Sequence, residues 1–305
     1  MTGPAGHEEA RGSDPIASLL STRALHANTI LARARGENFP VALRWLGREL
    51  REDLLALYGF ARLVDQIGDE AEGDRHALLE ALARDLERAF SGAPQHPLLQ
   101  RLAPTIRRRG LPRAPFLRLI EANRFDQRRV RIASWRELLD YCALSANPVG
   151  ELVLHVLGQA SPENVLRSDA VCSALQVIEH CQDVAEDVAR GRVYLPADDL
   201  AAAGCREREL AESPASPALR RVVALQIGRA RGLLAEARAL VARLDGAGRF
   251  AVAGFAAGGL ACCDAFEGAG YDPNAKLVRA GRVTFARHAL ALVCARASAR
   301  ETAAP

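Results

Sequence analysis

Two aspartates four residues apart, Asp65 and Asp69, lie in the stretch Tyr58-Gly59-Phe60-Ala61-Arg62-Leu63-Val64-Asp65-Gln66-Ile67-Gly68-Asp69. A second pair with the same spacing, Asp183 and Asp187, lies in Gln176-Val177-Ile178-Glu179-His180-Cys181-Gln182-Asp183-Val184-Ala185-Glu186-Asp187. On a helix, residues i and i+4 share a face, so each pair aims two carboxylates one way, at a cost of about 0.2–0.5 kcal/mol to an isolated helix. Clustered carboxylate oxygens suit a hard divalent cation, and magnesium takes one or two protein carboxylates while completing its shell with substrate phosphate. Two facing pairs therefore fit a magnesium-bound diphosphate.

The alternative is that the acids sit on solvated helix faces. Around the first pair this fits poorly: at about 100° per residue, Tyr58, Arg62, Asp65 and Asp69 share a stripe roughly 60° wide with apolar residues opposite. A polar line that narrow predicts a lined cavity. Around Asp183 the polar arc spans roughly 120°, and periodicity leaves a surface face open there.

The elements that must carry these pairs are helical throughout. Apolar residues recur at helical spacing over residues 16–35, and Gly36-Glu37-Asn38-Phe39-Pro40 breaks the run before Leu43 begins the helix leading to Asp65. Further helices are expected over 75–90, 98–109 and 115–128. Ser134, with Glu137 three residues on, forms a capping box opening a helix to about residue 158. Asn147-Pro148 falls inside it, either as a kink that frees carbonyls toward a polar group or cavity, or as a loop. Residues 161–190 form the helix of the second acid pair, with Gly191 at its C-terminal cap, so Arg190-Gly191-Arg192-Val193-Tyr194 emerges beside Asp187. A loop carrying one short helix covers 201–217, an amphipathic helix 219–244, and Asp272-Pro273 opens a last helix to about residue 300. The apolar run over 250–263 is short for a membrane span of about 20 residues. No stretch alternates with period two and no Gly-rich phosphate loop occurs.

The expected fold is thus all-α, a single-domain helical bundle around a central apolar cavity, with residues 1–15 a polar disordered arm, 16–300 the helical domain and 301–305 a frayed tail. The net charge of +3 and apolar fraction of 49% argue against a nucleic-acid partner. Seven cysteines, never spaced as C-x-x-C, read as reduced thiols, and the first fifteen residues lack a secretory signal. Both point to the cytoplasm.

With these residues placed, the chain resembles the squalene/phytoene synthase family over about residues 25–287. The likeness is strongest in Tyr58-Gly59-Phe60-Ala61-Arg62 with Asp65 and Asp69, in the block from Tyr141 to Gly150, and in Gln176 through Asp183, Asp187 and Gly191-Arg192-Val193-Tyr194-Leu195-Pro196. Glu37-Asn38-Phe39-Pro40-Val41 and Ser145-Ala146-Asn147-Pro148-Val149-Gly150 resemble the hydroxysqualene synthase branch of bacterial hopanoid biosynthesis. The resemblance implies isoprenoid chemistry: Mg²⁺ as cofactor, presqualene diphosphate as substrate, and hydroxysqualene and diphosphate as products. By the same resemblance Asp65, Asp69, Asp183 and Asp187 bind the metal. Arg62 and Arg192 add forked donors to the diphosphate, and Tyr58, Gln176 and Tyr194 lie near it. Phe39, Phe60 and Tyr141 are the aromatic candidates for stabilising a carbocation, Tyr141 being placed with the catalytic set and Asn147 with the substrate side.

Four positions depart from the pattern. Arg35-Gly36 stands where this branch usually has His-Tyr, Glu179 where the wider family usually has asparagine, and Gln66 replaces an aspartate common inside the first motif. Two other readings stay open: a squalene or phytoene synthase that condenses two prenyl diphosphates, and a non-catalytic assembly relative of the same fold. Oligomeric state and peripheral contact with the inner face of a membrane are also open at this level.

Overall fold

The computed structural model describes residues 27–33, 47–128, 130–275 and 278–301. The expectations for the N-terminal arm, for the break at Gly36 to Pro40, for Arg35-Gly36 and for Phe39 lie outside these residues. Fourteen α-helices run through the described chain: α1 Ala27–Arg33, α2 Arg48–Asp69, α3 Arg75–Ser91, α4 Pro97–Arg109, α5 Arg113–Phe125, α6 Trp135–Ser145, α7 Asn147–Val156, α8 Pro162–Gln182, α9 Val184–Ala189, α10 Ala197–Ala202, α11 Pro217–Leu234, α12 Glu236–Arg243, α13 Gly246–Gly268 and α14 Arg282–Glu301. Among the described residues there is no strand, only an isolated parallel bridge between Arg131 and Val193. The architecture is the all-α bundle around a cavity that the periodicity predicts.

Local chemistry sets the helix ends. Asp74 caps α3 by accepting from Ala77 N at 3.0 Å, and Gly92 closes it at φ +105°, a conformation that favours glycine. Ser134 accepts from Glu137 N at 3.3 Å, while the Glu137 carboxylate reaches one residue further back than a capping box requires, to Ala133 N at 2.6 Å.

Three of the expected helical stretches are each divided. Pro148 cannot donate to the ladder, and the chain breaks at Ala146, so Asn147-Pro148 begins α7 instead of kinking one long helix. The second break falls on Asp183, between α8 and α9. The 219–244 helix also slips at Ala235, whose N–H reaches Gly232 O at 3.2 Å.

The expected start of the last helix at Asp272 is corrected: α14 begins at Arg282. Asp272 is buried and its carboxylate is spent on a turn, accepting from Asn274 N, Ala275 N and Ala215 N at 3.0, 3.1 and 3.3 Å and from Arg220 Nη2 at 2.6 Å. A side chain so occupied pins the loop to α11 and is not available as a helix cap.

Two apolar cores result. One joins α1 to α5 with one face of α7, and the other joins α6, α8 and α11 to α14 with the opposite face of α7. Neighbouring residues of α7 divide between them, Leu152 and Val156 packing in the first and Leu154 in the second. The 23-residue α13 is long and apolar enough to cross a membrane, yet it packs against α8, α11, α12 and α14. A helix with four helical neighbours is a core element here, and its runs of alanine and glycine serve close packing: a Cβ at Gly259 would meet Leu175 Cδ2 at 2.6 Å.

Candidate functional site

The first acid pair is held by the apolar side of α2. Phe60, Leu63, Val64 and Ile67, spaced i, i+3, i+4 and i+7, are fully buried in the first core. Each contributes about 1.5–3 kcal/mol by burial, well above the few tenths by which two like charges disturb the helix. The opposite side, with Arg62, Asp65, Gln66 and Asp69, therefore faces a cavity between the cores. Gly68 lets α5 approach: a Cβ there would stand 2.1 Å from Asn123 Oδ1. Asn123 in turn donates from Nδ2 to Asp65 Oδ1 at 3.5 Å, and Arg62 Nη1 lies 3.7 Å from Asp65 Oδ2.

The second pair is carried by the break in α8. Asp183 occupies the N-cap position of α9 but makes no side-chain capping bond, so its carboxylate is not consumed by the backbone. Asp187 keeps the helical register, donating its N–H to Asp183 O at 2.8 Å. Gly191, at φ +79°, then turns the chain back: its N–H reaches Val188 O and Arg192 N reaches Asp187 O, at 2.9 and 2.8 Å. This closed turn aims Arg192 across the cavity, where Nη1 donates to Asp69 Oδ1 at 2.7 Å. Arg190 Nη1 lies 3.7 Å from Asp69 Oδ2. The two acidic walls are thus joined through the first pair's own arginine partners.

All four aspartates line one cavity mouth together with Glu179, which stands between the walls on α8. The Asp65 side chain is 49% exposed, but into this cavity, with protein walls around it. That burial raises its pKa to about 6, opposed by Arg62 and reinforced by Asp69. Asp183 is raised to about 6 by burial, then by Asp187 and Glu186, and Glu179 to about 7 by burial, with His180 opposing and Asp183 and Asp65 reinforcing. The arrangement is short of positive charge at its centre. Among the described residues no three His, Cys, Asp or Glu side chains converge as a closed metal cage. An oxygen-rich mouth of this kind fits ions that take one or two protein carboxylates and complete their shells with phosphate and water.

The whole cavity is about 610 Å³ in volume, and it is also walled by Val153, Leu154, Val171, Leu175, Val252 and Phe255, of which Leu154, Val171 and Val252 are buried. Its size is in the range of small-molecule sites. Tyr141 and Tyr194 also line the cavity, their ring centroids 5.1 Å apart, and His180 stacks on Tyr194 at 3.9 Å. Both hydroxyls donate to Asp126, each at 2.7 Å.

Of the residues singled out in the sequence, Arg62, Asp65, Asp69, Tyr141, Gln176, Asp183, Asp187, Arg192 and Tyr194 share this cavity. Three do not line it. Phe60 lies on the buried side of α2 with its ring edge-on to Phe116 at 5.1 Å, which makes it core and corrects its placement near a carbocation. Asn147 is buried and accepts from Ser173 Oγ at 2.9 Å, bracing α7 on α8. Tyr58, two turns before Asp65, is half-buried and lies outside the cavity wall.

Sequence reasoning missed Asp126, Asn123, His180 and Arg190. No local signal marks Asp126, because its partners lie 15 and 68 residues away. Arg190 and His180 were findable, being on the same helical stretch as the second pair.

A family model described as squalene/phytoene synthase matches residues 32–288. The hydroxysqualene synthase of Rhodopseudomonas palustris is 36% identical over 211 residues, 69% of this chain and 72% of its own length. The phytoene synthase of Thermus thermophilus is 32% identical over 240 residues, 79% and 82% of the two chains. Among solved structures, the squalene synthase HpnC from Alicyclobacillus acidocaldarius superposes with a TM-score of 0.74 at 39% identity, covering 85% of this chain and 99% of its own.

Proposed function

Because the chain belongs to the squalene/phytoene synthase family, we propose that it is a hydroxysqualene synthase, converting presqualene diphosphate and water to hydroxysqualene and diphosphate. The observation that carries this reading is that two acid pairs from separate helices and a set of aliphatic side chains line one and the same cavity. A diphosphate with a long hydrocarbon tail has that polarity. Hydroxysqualene synthases among the relatives favour this reaction over head-to-head condensation.

Asp65, Asp69, Asp183 and Asp187 would hold Mg²⁺, which when bound neutralises the diphosphate so that the carbon–oxygen bond can ionise. Arg62, Arg190 and Arg192 orient the diphosphate oxygens with N–H donors, Arg192 being fixed in direction by the Gly191 turn. The aliphatic lining of the cavity keeps bulk water from the cation, and the faces of Tyr141 and Tyr194 stabilise positive charge within it. Carriage by the cytoplasm, with the oily product passed to a membrane, fits this chemistry.

The test is incubation of the purified chain with Mg²⁺ and presqualene, farnesyl or geranylgeranyl diphosphate in turn, with products identified by mass. Hydroxysqualene from presqualene diphosphate is expected. A C30 or C40 hydrocarbon as the main product would replace the assignment by the squalene or phytoene synthase reading.

A further inference from the structure

Asp126 is a charged group at the cavity to which the reaction above gives no part. It follows the last turn of α5, and its two carboxylate oxygens are divided between two phenols: Tyr141 Oη donates to Oδ2 and Tyr194 Oη to Oδ1, both at 2.7 Å. The two phenol oxygens are 3.5 Å apart, so the shorter bonds to Asp126 claim both protons. A phenol oxygen whose proton is already donated can only accept from a further partner. Arg192, whose charge acts on Asp126 and Tyr194, directs Nη1 to Asp69. Both tyrosines are more than nine-tenths buried, and all three residues line the cavity together with the four aspartates and the aliphatic side chains.

We propose that Asp126 is a positioning residue that fixes the Tyr141 and Tyr194 hydroxyls as acceptors for one water molecule, and that this water captures the carbocation to give the alcohol. The inference rests on the hydroxysqualene synthase reading and deepens it. A water that donates one O–H to a phenol oxygen keeps a lone pair for the cation. The new C–O bond forms from that pair, one O–H bond of the resulting oxonium breaks, and its proton passes to the phenol oxygen as the phenol's own proton passes to Asp126. Cation, water and carboxylate become alcohol and carboxylic acid, with no oxidant or reductant. Burial holds the Asp126 carboxyl above the usual range, the direction that suits a proton acceptor.

The experiment compares wild type, Asp126→Asn and Asp126→Glu given Mg²⁺ and presqualene diphosphate, measuring diphosphate released and the share of alcohol among the C30 products. In Asp126→Asn the amide has no carboxylate to receive the proton and turns an N–H toward one phenol. The alcohol share should fall about 100-fold in favour of hydrocarbon, the scale of lost acid–base assistance, with Asp126→Glu restoring most of it. An unchanged share in Asp126→Asn overturns the inference, and so does a parallel loss of diphosphate and alcohol, which assigns Asp126 to ionisation or structure. If circular dichroism shows Asp126→Asn unfolded, the Tyr141→Phe/Tyr194→Phe double variant takes its place, with the same outcomes deciding. Absence of alcohol from the wild type instead rejects the parent assignment.

Discussion

The two acidic walls differ in what surrounds them. The first lies on an unbroken helix whose opposite face is fully buried, and both of its carboxylates already have cationic or amide partners: Arg62 and Asn123 at Asp65, Arg190 and Arg192 at Asp69. The second lies at a helix break. Asp187 is 3.8 Å from His180 Nδ1, and among the described residues no arginine or histidine comes within ion-pair distance of Asp183, whose chief carboxylate neighbours are Asp187 and Glu186. The first wall is thus pre-organised by protein charge, whereas at Asp183 the neighbouring carboxylates Asp187 and Glu186 outweigh His180 and Arg190. Under the proposed function, that asymmetry would give the first wall the work of orienting the headgroup and the second the sharper need for the ion.

The largest effect should come from removing that need. Asp183→Asn is expected to lower kcat/KM for presqualene diphosphate by about 1,000-fold or more, several kcal/mol of lost charge stabilisation. Asp65→Asn should cost nearly as much, and steady-state rates across a range of Mg²⁺ concentrations distinguish the walls. Excess Mg²⁺ recovers part of the Asp65→Asn activity and none of the Asp183→Asn activity if the first wall is the pre-organised one. Equal recovery would erase the contrast.

Next in size is the arginine that joins the walls. Arg192→Gln leaves Asp69 with Arg190 at 3.7 Å as its cation and removes a donor aimed into the mouth. A loss of about 10–100-fold is expected, mainly as raised KM. A change in kcat alone would move Arg192 from binding to ionisation.

The smallest effect concerns pH. Asp65, Asp183 and Glu179 have pKa values raised to about 6, 6 and 7 in the folded chain. A carboxyl whose folded pKa is raised binds its proton more tightly in the native state, so its stabilising contribution is present at low pH and is lost as pH rises from about 4 to about 7. The metal-free protein should melt a few degrees lower at pH 8 than at pH 5.5, by scanning fluorimetry. Glu179→Gln should shrink that difference, since the centrally placed charge no longer forms. An unaltered pH slope in Glu179→Gln removes that residue from the repulsive cluster.

Much of this was legible in the chain, and the failures share a cause. Helix identity follows from periodicity and cap residues, which is why Asp74, Gly92, Ser134 and Gly191 mark ends that the structure keeps. The narrow polar stripe on α2 foretold a cavity because an apolar helix face has only one other way to place acids. What periodicity cannot resolve is which of two faces an aromatic beside the stripe will take. Phe60 went to the core because Phe116 and the first apolar cluster meet it there. The break at Asp183 carries no proline or glycine, so no breaker residue announced it. Asp272 looked like a helix opening because Asp-Pro usually is one, but four long-range and local donors had claimed its carboxylate. Asp126 depends wholly on tertiary contacts, and contacts across 68 residues leave no trace in local pattern.

The central claim is that the two walls together hold a metal-bound diphosphate. Isothermal titration of inorganic diphosphate into the purified chain, with Mg²⁺ and then with EDTA, tests it most directly. Saturable binding in Mg²⁺ that vanishes in EDTA, and that is lost in both Asp65→Asn and Asp183→Asn, is predicted. Binding of equal strength in EDTA, or in either variant, would contradict it.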